Sequence, residues 1–188
     1  MPMNWDIELF RAINGLAGRS DFLDGAMTAI GNPLTAAFPG LLASVCWCWA
    51  RRREALLGLG ALVLLFVVGD FLGARIKDVV ERERPCVALQ GVTQLTGCGK
   101  TYSFPSNHAL NTAGIAAFLA VLYPSTGWVS LPLVGLIGFA RVYGGGHYAT
   151  DVLGGWLLGA AFGVGAALLF ERFVLARRPG DPSGRSRQ

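Results

Sequence analysis

Apolar runs long enough to cross a lipid bilayer constrain the fold of this chain more than any other feature. A helix needs about 18–20 apolar residues to cross the hydrocarbon core, where the backbone has to satisfy its own hydrogen bonds. Of the 188 residues, 53% are hydrophobic and 15% charged, against about 25% charged in an average soluble chain. The sequence predicts an all-α, polytopic membrane bundle of about five transmembrane helices. The predicted spans are residues 22–50, 55–80, 106–123, 128–143 and 149–173.

Both ends of the chain differ from the spans. Residues 4–20 place apolar side chains among charges at roughly helical spacing, which predicts an amphipathic helix at the membrane interface. Asn32-Pro33 predicts a kink or interruption of the first span. Residues 1–176 are expected to form one membrane domain, and residues 177–188 a basic, disordered tail.

The distribution of arginines sets the expected orientation. The Arg51–Arg53 loop and the arginines of the tail favour a cytoplasmic location for both, by the positive-inside rule. The N-terminal helix then lies outside. Whatever the absolute orientation, five spans place the end of the second, the start of the third and the junction of the last two on one membrane face.

Composition and cysteine spacing argue against two kinds of ligand, nucleic acids and metal ions. The net charge of +4 comes without a basic stripe interleaved with aromatic residues, so nucleic-acid binding is not expected. Cys46 and Cys48 lie in an apolar run and are expected to be buried, inert thiols. Cys86 and Cys98 flank a polar loop; they form a disulfide if that loop faces the oxidising side, and otherwise stay free. No pattern of metal ligands accompanies them, so no metal site is predicted.

The first polar cluster is Lys77 with Arg84-Pro85. If the helix of the second span continues, Lys77 and Arg84 share one face and Pro85 ends the helix. An arginine fork and a lysine ammonium both suit phosphate. The alternative is a pair of interfacial cations whose stems lie along apolar surface.

The second cluster is Pro105-Ser106-Asn107-His108, at the start of the third span. Ser106 suits an N-cap, and free N–H groups in the first turn can bind an anion. His108 could then donate a proton to a leaving group. The alternative is an ordinary cap with an interfacial histidine.

The third cluster is Arg141 with Gly144–Gly146, His147 and Asp151. The spacing of His147 and Asp151 places them on one helix face. A carboxylate on one imidazole nitrogen leaves the other nitrogen free to attack. The glycines are expected to let backbone approach a ligand closely. An ordinary histidine–aspartate surface pair is the alternative.

These clusters, in this order and spacing, resemble the three signature motifs of the type 2 phosphatidic acid phosphatase family, whose members are helical membrane enzymes that work without metal or other cofactor. The resemblance implies that His147 attacks phosphorus to form a phosphohistidine, that Asp151 orients His147, and that His108 protonates the leaving oxygen. It also implies a set of groups that hold the phosphoryl oxygens, namely Lys77, Arg84, Ser106 and Arg141.

Two positions depart from the family pattern. Asn107 stands where glycine is frequent, and Ala140 stands where a serine usually precedes the arginine of the third motif, so one hydroxyl donor is missing. The run Phe10–Gly18 looks like bacterial undecaprenyl pyrophosphate phosphatases of the family. Asp70, inside the second span, needs a partner; we expect Asp70 and Asn107 to support the site from outside, with Asp70 paired to Arg75, Lys77 or another site cation.

The sequence as a whole predicts a bacterial inner-membrane lipid phosphatase whose site faces the periplasm or exterior. Undecaprenyl pyrophosphate is the substrate that we expect first, and phosphatidic acid, phosphatidylglycerol phosphate and lipid A 1-phosphate are alternatives. A lipid phosphotransferase is also open, since any hydroxyl can capture a phosphohistidine. A small transporter or a non-catalytic lipid-binding scaffold is the alternative of another class. The expected partners are substrate and membrane lipids; the oligomeric state is left open.

Overall fold

The structure is a computed structural model that describes residues 3–32 and 52–175, together with residues 35, 45, 47 and 49. Within these ranges every regular element is helical, so the all-α prediction is confirmed. The helices are α1 (Asn4–Asn14), α2 (Asp21–Gly31), α3 (Arg52–Val80), α4 (Pro85–Ala88), α5 (Asn107–Leu122), α6 (Gly127–Tyr143) and α7 (Ala149–Phe170). A 3-10 turn, Pro124–Thr126, joins α5 to α6, and a π turn, Glu171–Leu175, follows α7.

Three stretches are long and apolar enough to cross a membrane: Glu54–Ala88, Pro124–Tyr143 and Ala149–Leu175. They contain α3, α6 and α7 and confirm three of the predicted spans. The predicted third span is α5, a shorter apolar helix of 16 residues. At 1.5 Å per residue it is about 24 Å long, less than the roughly 30 Å of a hydrocarbon core.

The first predicted span is described only in part. Its beginning is α2, which ends at Gly31 with Asn32 as its C-cap, where Asn32-Pro33 predicts an interruption. Apart from residues 35, 45, 47 and 49, the rest of this span lies outside the described residues, as do Cys46, Cys48 and the tail 177–188. Helix α3 begins at Arg52, so Arg52 and Arg53 are helical and do not belong to a loop as predicted.

The chain turns sharply between Lys77 and Arg84, which corrects the prediction that these residues share one helix face. Helix α3 ends at Val80, and Glu81 adopts a left-handed φ of 50°. Arg84 is extended, with φ −71° and ψ 151°, the conformation favoured before proline. Pro85 therefore begins α4 instead of ending α3.

Glycines bring α5 and α7 into close contact. A Cβ at Gly159 would lie 2.0 Å from the carbonyl oxygen of Leu110, and one at Gly163 would lie 2.2 Å from that of Gly114. A Cβ at Gly155, one turn nearer the N-terminus of α7, would lie 2.6 Å from the carbonyl oxygen of Ser106 at the start of α5. Small residues four apart let membrane helices approach until their backbones touch. This contact fixes the start of α5 against the start of α7.

The N-terminal amphipathic helix is confirmed over Asn4–Asn14 and is shorter than the predicted residues 4–20. Its buried side chains are Asp6, Phe10 and Asn14, which lie four residues apart on one face. Phe10 packs edge-on against Tyr148, with ring centroids 5.7 Å apart. Asn14 donates to the backbone carbonyl oxygen of Tyr143 at 2.8 Å. Helix α1 is thus packed against the ends of α6 and α7.

Candidate active site

The three polar clusters of the sequence meet at one end of the bundle. The backbone N–H of Ser106, at the start of α5, donates to the carbonyl oxygen of Asp151 in α7 at 3.0 Å. The Lys77 ammonium, near the end of α3, donates to the carbonyl oxygen of Pro105. The close contact between α5 and α7 and the sharp turn after α3 therefore bring together residues that lie up to 74 positions apart in the sequence.

His147 and Asp151 lie side by side, although not on one helix face as the spacing predicts. His147 precedes α7, and Tyr148 is the N-cap residue. Asp151 Oδ2 accepts the Tyr148 backbone N–H at 2.9 Å and lies 3.5 Å from His147 Nδ1. Because the Asp151 carboxylate caps α7, the helix begins between the two residues. The capping bond also fixes which carboxylate oxygen faces the imidazole.

Arg84 lies on the other side of the imidazole. Its Nη1 lies 3.2 Å from His147 Nε2 and donates to the Gly146 carbonyl oxygen at 3.0 Å, while its Nε donates to the Thr101 carbonyl oxygen at 2.7 Å. A guanidinium can only donate, so His147 Nε2 accepts and Nδ1 carries the ring proton toward Asp151. This tautomer places the lone pair that a nucleophile needs on Nε2, on the side of the ring that faces Arg84.

His147 is only 3% exposed, and burial lowers its pKa to about 4. The negative charge of Asp151, 3.5 Å from Nδ1, opposes this lowering of the pKa, while the positive charges of Arg84 and Arg141 add to it. The imidazole is consequently neutral at physiological pH, the state in which it can attack.

Two more residues of the predicted set have a buried polar atom at this end of the bundle. Arg141, in the last turn of α6, reaches the carbonyl oxygen of Gly31 at 3.4 Å, and its Nε is buried without a hydrogen-bond partner. Ser106 is the N-cap of α5, but its hydroxyl makes no capping bond and is likewise buried without a partner. A buried donor that has no acceptor destabilises the folded protein. Both groups are therefore available to donate to a bound anion.

The glycine run serves mainly to pack the protein, which corrects the expectation that all three glycines approach a ligand. Gly145 has φ +83°, and a Cβ there would lie 2.6 Å from the carbonyl oxygen of Thr93; one at Gly144 would lie 3.1 Å from Thr96. Only Gly146 borders the cations, close to the guanidinium groups of Arg141 and Arg84.

His108 lies in the first turn of α5 and is half-buried. It is within electrostatic range of Arg141, Arg84 and Lys77. The structure thus brings the second histidine to the same cationic end of the bundle as His147.

Within residues 3–32 and 52–175, no three His, Cys, Asp or Glu side chains are grouped as metal ligands.

Asp70 has a partner different from the expected cation. Its Oδ1 accepts a hydrogen bond from the Asn107 amide at 2.6 Å. Arg75 instead lies 4.0 Å from Asp78. Because Asn107 immediately precedes His108, the Asp70–Asn107 bond ties α3 to the first turn of α5. Asparagine at this position, where the related motif often has glycine, supplies the amide that makes this bond.

Cys86 and Cys98 are joined by a disulfide, with Cα atoms 5.9 Å apart. The bond closes the loop that begins directly after Arg84-Pro85. Thr101, which accepts two hydrogen bonds from Arg84, lies just beyond Cys98. The disulfide therefore belongs to the segment that holds the Arg84 side chain in place.

Sequence reasoning missed two charged residues at this end of the bundle, Asp6 and Arg82. Arg82 Nη1 donates to Asp151 Oδ1 at 2.7 Å, and its Nη2 donates to Asp6 Oδ2 at 2.6 Å. The available signal was weak: Asp6 interrupts the apolar face of α1 one turn before Phe10. Arg82 stood in a charged stretch that gave no sign of which side chain is buried.

Comparison with known proteins gives concordant results. The chain matches the PAP2 superfamily over residues 54–174. The undecaprenyl-diphosphatase BcrC of Bacillus subtilis is 32% identical over 177 residues, covering 92% of this chain and 86% of that protein. The bacitracin transport permease protein BcrC of Bacillus licheniformis is 29% identical over 154 residues, covering 82% of this chain and 75% of that protein.

A solved structure shares the architecture. The transmembrane PAP2-type phosphatidylglycerolphosphate phosphatase of Bacillus subtilis superposes with a TM-score of 0.69 at 26% sequence identity. The match covers 91% of this chain and 89% of that one. The structural similarity therefore extends beyond residues 54–174.

Proposed function

Because this chain belongs to the PAP2 superfamily, we propose that it is an integral-membrane lipid phosphatase that converts undecaprenyl pyrophosphate to undecaprenyl phosphate. The observation that carries the proposal is the arrangement around His147, a buried neutral imidazole between Asp151 on Nδ1 and Arg84 on Nε2. An oriented base and an anion-binding cation on one ring are what nucleophilic attack on phosphorus requires.

In the first step, His147 Nε2 attacks the terminal phosphorus while the bond from that phosphorus to the bridging oxygen breaks. His108, in its protonated form, gives its proton to the leaving oxygen. The products of this step are undecaprenyl phosphate and a phosphohistidine. Asp151 stabilises the positive charge that develops on the His147 ring, as its position 3.5 Å from Nδ1 allows.

In the second step, water attacks the phosphohistidine and His108, now neutral, accepts a proton from it. The bond between His147 Nε2 and phosphorus breaks, its electron pair returns to Nε2, and inorganic phosphate leaves. Four groups would hold the phosphoryl oxygens in both steps, with most benefit as charge builds up in the transition state. They are Lys77, Arg84, Ser106 and Arg141, of which Ser106 and Arg141 have buried polar atoms without a protein partner.

The choice of lipid is supported by relatives and by physical chemistry. The 32% identical relative is named as an undecaprenyl-diphosphatase. The cations lie at the end of apolar helices, so a charged headgroup can reach them while its chain stays in the bilayer. Phosphatidylglycerol phosphate is the second candidate. The protein whose solved structure is similar is named as a phosphatase of that lipid, and the match covers about nine tenths of both chains.

The proposed location is the bacterial inner membrane, with the site at the periplasmic or exterior face. The disulfide between Cys86 and Cys98 supports this orientation. Disulfides persist in oxidising compartments and are rare in the cytosol. Arg84 lies two residues before the bonded loop and donates to Thr101 just after it, so the loop and the candidate site share one face.

The test is phosphate release by the purified protein in detergent, from undecaprenyl pyrophosphate, phosphatidylglycerol phosphate and phosphatidic acid, with EDTA present throughout. We expect the fastest release from the pyrophosphate and a loss of about three orders of magnitude or more in His147→Ala. Release that stops in EDTA would contradict the metal-free chemistry. An assay with a lipid hydroxyl acceptor separates hydrolysis from phosphotransfer: transfer of most of the phosphoryl group to the acceptor would contradict the hydrolase.

A further inference from the structure

A buried carboxylate on the N-terminal helix α1 is bonded to Thr150, which lies between His147 and Asp151 of the proposed site. Asp6 is fully buried. Its Oδ1 accepts the Thr150 backbone N–H at 3.2 Å, and its Oδ2 accepts from the Thr150 hydroxyl and from Arg82 Nη2. Thr150 is separated from Asp6 by 144 positions in sequence and immediately precedes Asp151. A buried carboxylate is retained only when such partners compensate its desolvation.

Arg82 connects this carboxylate to Asp151. One terminal nitrogen donates to Asp6 at 2.6 Å, and the other donates to Asp151 Oδ1 at 2.7 Å and to the Thr150 hydroxyl at 2.6 Å. The guanidinium lies over the Tyr148 ring, 4.1 Å from its centroid. The planar fork of arginine is needed here, because a lysine ammonium could not bridge both carboxylates in this geometry.

The two oxygens of Asp151 are therefore divided between two tasks. Arg82 holds Oδ1, and the Tyr148 backbone N–H holds Oδ2, which faces His147. With Oδ1 fixed, the carboxylate cannot rotate away from the imidazole.

The charges give Asp6 an electrostatic role in addition to holding α1 against the bundle. Without Asp6, the positive charge of Arg82 would offset the negative charge of Asp151. Asp151 would then stabilise the positive charge that develops on His147 only weakly. With Asp6 present, the three groups together carry one net negative charge. The charged groups that face His147 itself are Asp151 from α7, Arg84 from the segment after α3 and Arg141 from α6; Asp6 and Arg82 act behind Asp151.

We propose that Asp6 and Arg82 are positioning residues for phosphoryl transfer: Arg82 fixes the Asp151 carboxylate, and Asp6 offsets the Arg82 charge so that Asp151 still presents a negative charge to His147. The inference rests on the proposed function. It makes α1 part of the machinery that acts on the lipid headgroup, where the sequence predicts only an interfacial helix.

The alternative is that Asp6 simply fastens α1 to the bundle, and Asn14 provides the matched control. Asn14 lies on the same buried face, two turns later, and bonds to the backbone of Thr93 and Tyr143. It has no contact with Asp151, Arg82 or His147 among its hydrogen bonds. Asn14→Ala thus loosens α1 without altering the charges behind Asp151.

The experiment compares wild type, Asp6→Asn, Arg82→Lys and Asn14→Ala in phosphate release from undecaprenyl pyrophosphate as a function of pH. Groups that orient the ligands of a metal are typically worth about 10- to 100-fold in activity, and we expect a similar loss of kcat in Asp6→Asn and Arg82→Lys, with KM within about twofold. The acid limb of kcat/KM moves to lower pH in Asp6→Asn, because the uncompensated Arg82 charge disfavours a protonated His147. It does not move in Asn14→Ala.

Wild-type kcat in Asp6→Asn with an unmoved acid limb would overturn the inference. So would an Asn14→Ala variant with the same loss and the same pH profile, since that result reduces Asp6 to an anchor. If Asp6→Asn does not give a folded protein by size-exclusion chromatography, the test rests on Arg82→Lys. A wild-type kcat in Arg82→Lys would likewise overturn the inference. Absence of phosphate release in the wild type would instead reject the proposed function.

Discussion

At the scale of single residues, the charged groups that meet at the candidate site are buried or half-buried, whereas Glu81 and Glu83 beside Arg82 are exposed. Sequence spacing singled out Lys77, Arg84, His108, His147 and Asp151, because their residue types and intervals match a known motif, and the structure places them at one end of the bundle. It did not single out Asp6 and Arg82, because a charge that is withdrawn from water and one that is solvated look alike in sequence. Arg82 stands between two glutamates and resembles a solvated surface position, yet its side chain bridges two buried carboxylates.

The lowered pKa of His147 predicts an unusual tolerance of acid. The neutral ring is the nucleophile, and its pKa of about 4 keeps it neutral as the pH falls below 6.5. We expect kcat/KM, corrected for the ionisation of the substrate, to hold down to about pH 5 and to fall as His147 is protonated near pH 4. A pH–rate profile from pH 3.5 to 8 measures it. An acid limb centred near 6.5 would contradict a buried, neutral His147.

At the scale of elements, the apolar runs predicted the helices well, and the connections between them poorly. The turn after α3 depends on one left-handed residue, Glu81, and glutamate gives no sequence signal for that conformation. The N-cap positions of α5 and α7 are where the site forms, since Ser106 and Tyr148 both begin helices there. The close approach of α5 and α7 explains why these two helix starts share a site.

The glycine contact between α5 and α7 predicts that Gly159→Ala both destabilises the protein and lowers its activity. The added Cβ would lie 2.0 Å from the Leu110 carbonyl oxygen, so the helices have to separate. Overpacking of this kind costs about 1–3 kcal/mol. Thermal unfolding in detergent and phosphate release measure the two effects. Gly165→Ala is the matched control in the same helix, because nothing lies within 4 Å of its added Cβ; equal effects at both positions would refute the contact.

At the scale of the whole molecule, the helices separate a polar end, where the site lies, from an opposite end that holds the Pro124–Thr126 turn. The starts of α5 and α7 and the end of α6 lie at the site, so the Pro124–Thr126 turn between α5 and α6 lies away from it. Counting spans predicted this arrangement, since alternate connections of a bundle lie on alternate faces. The sequence could not predict how α1 contributes, because its contacts join residues at opposite ends of the chain.

This arrangement predicts opposite labelling of two exposed positions in intact cells. A cysteine at Arg19, in the segment between α1 and α2, should react with a membrane-impermeant maleimide from outside. A cysteine at Ser125, in the Pro124–Thr126 turn, should react only after the cells are opened. Wild type, with its own cysteines, gives the background. Labelling of Ser125→Cys but not Arg19→Cys in intact cells would invert the proposed orientation.

The central claim is that His147 carries the phosphoryl group during turnover. The most direct measurement is to mix the purified protein with undecaprenyl pyrophosphate, quench in alkali within milliseconds to seconds, and locate added phosphoryl groups by peptide mass spectrometry. Alkali preserves the phosphorus–nitrogen bond of phosphohistidine. We expect one phosphoryl group on His147 in wild type and none in His147→Ala. Continued phosphate release by His147→Ala, or a phosphoryl group on another residue at the wild-type rate, would contradict the account.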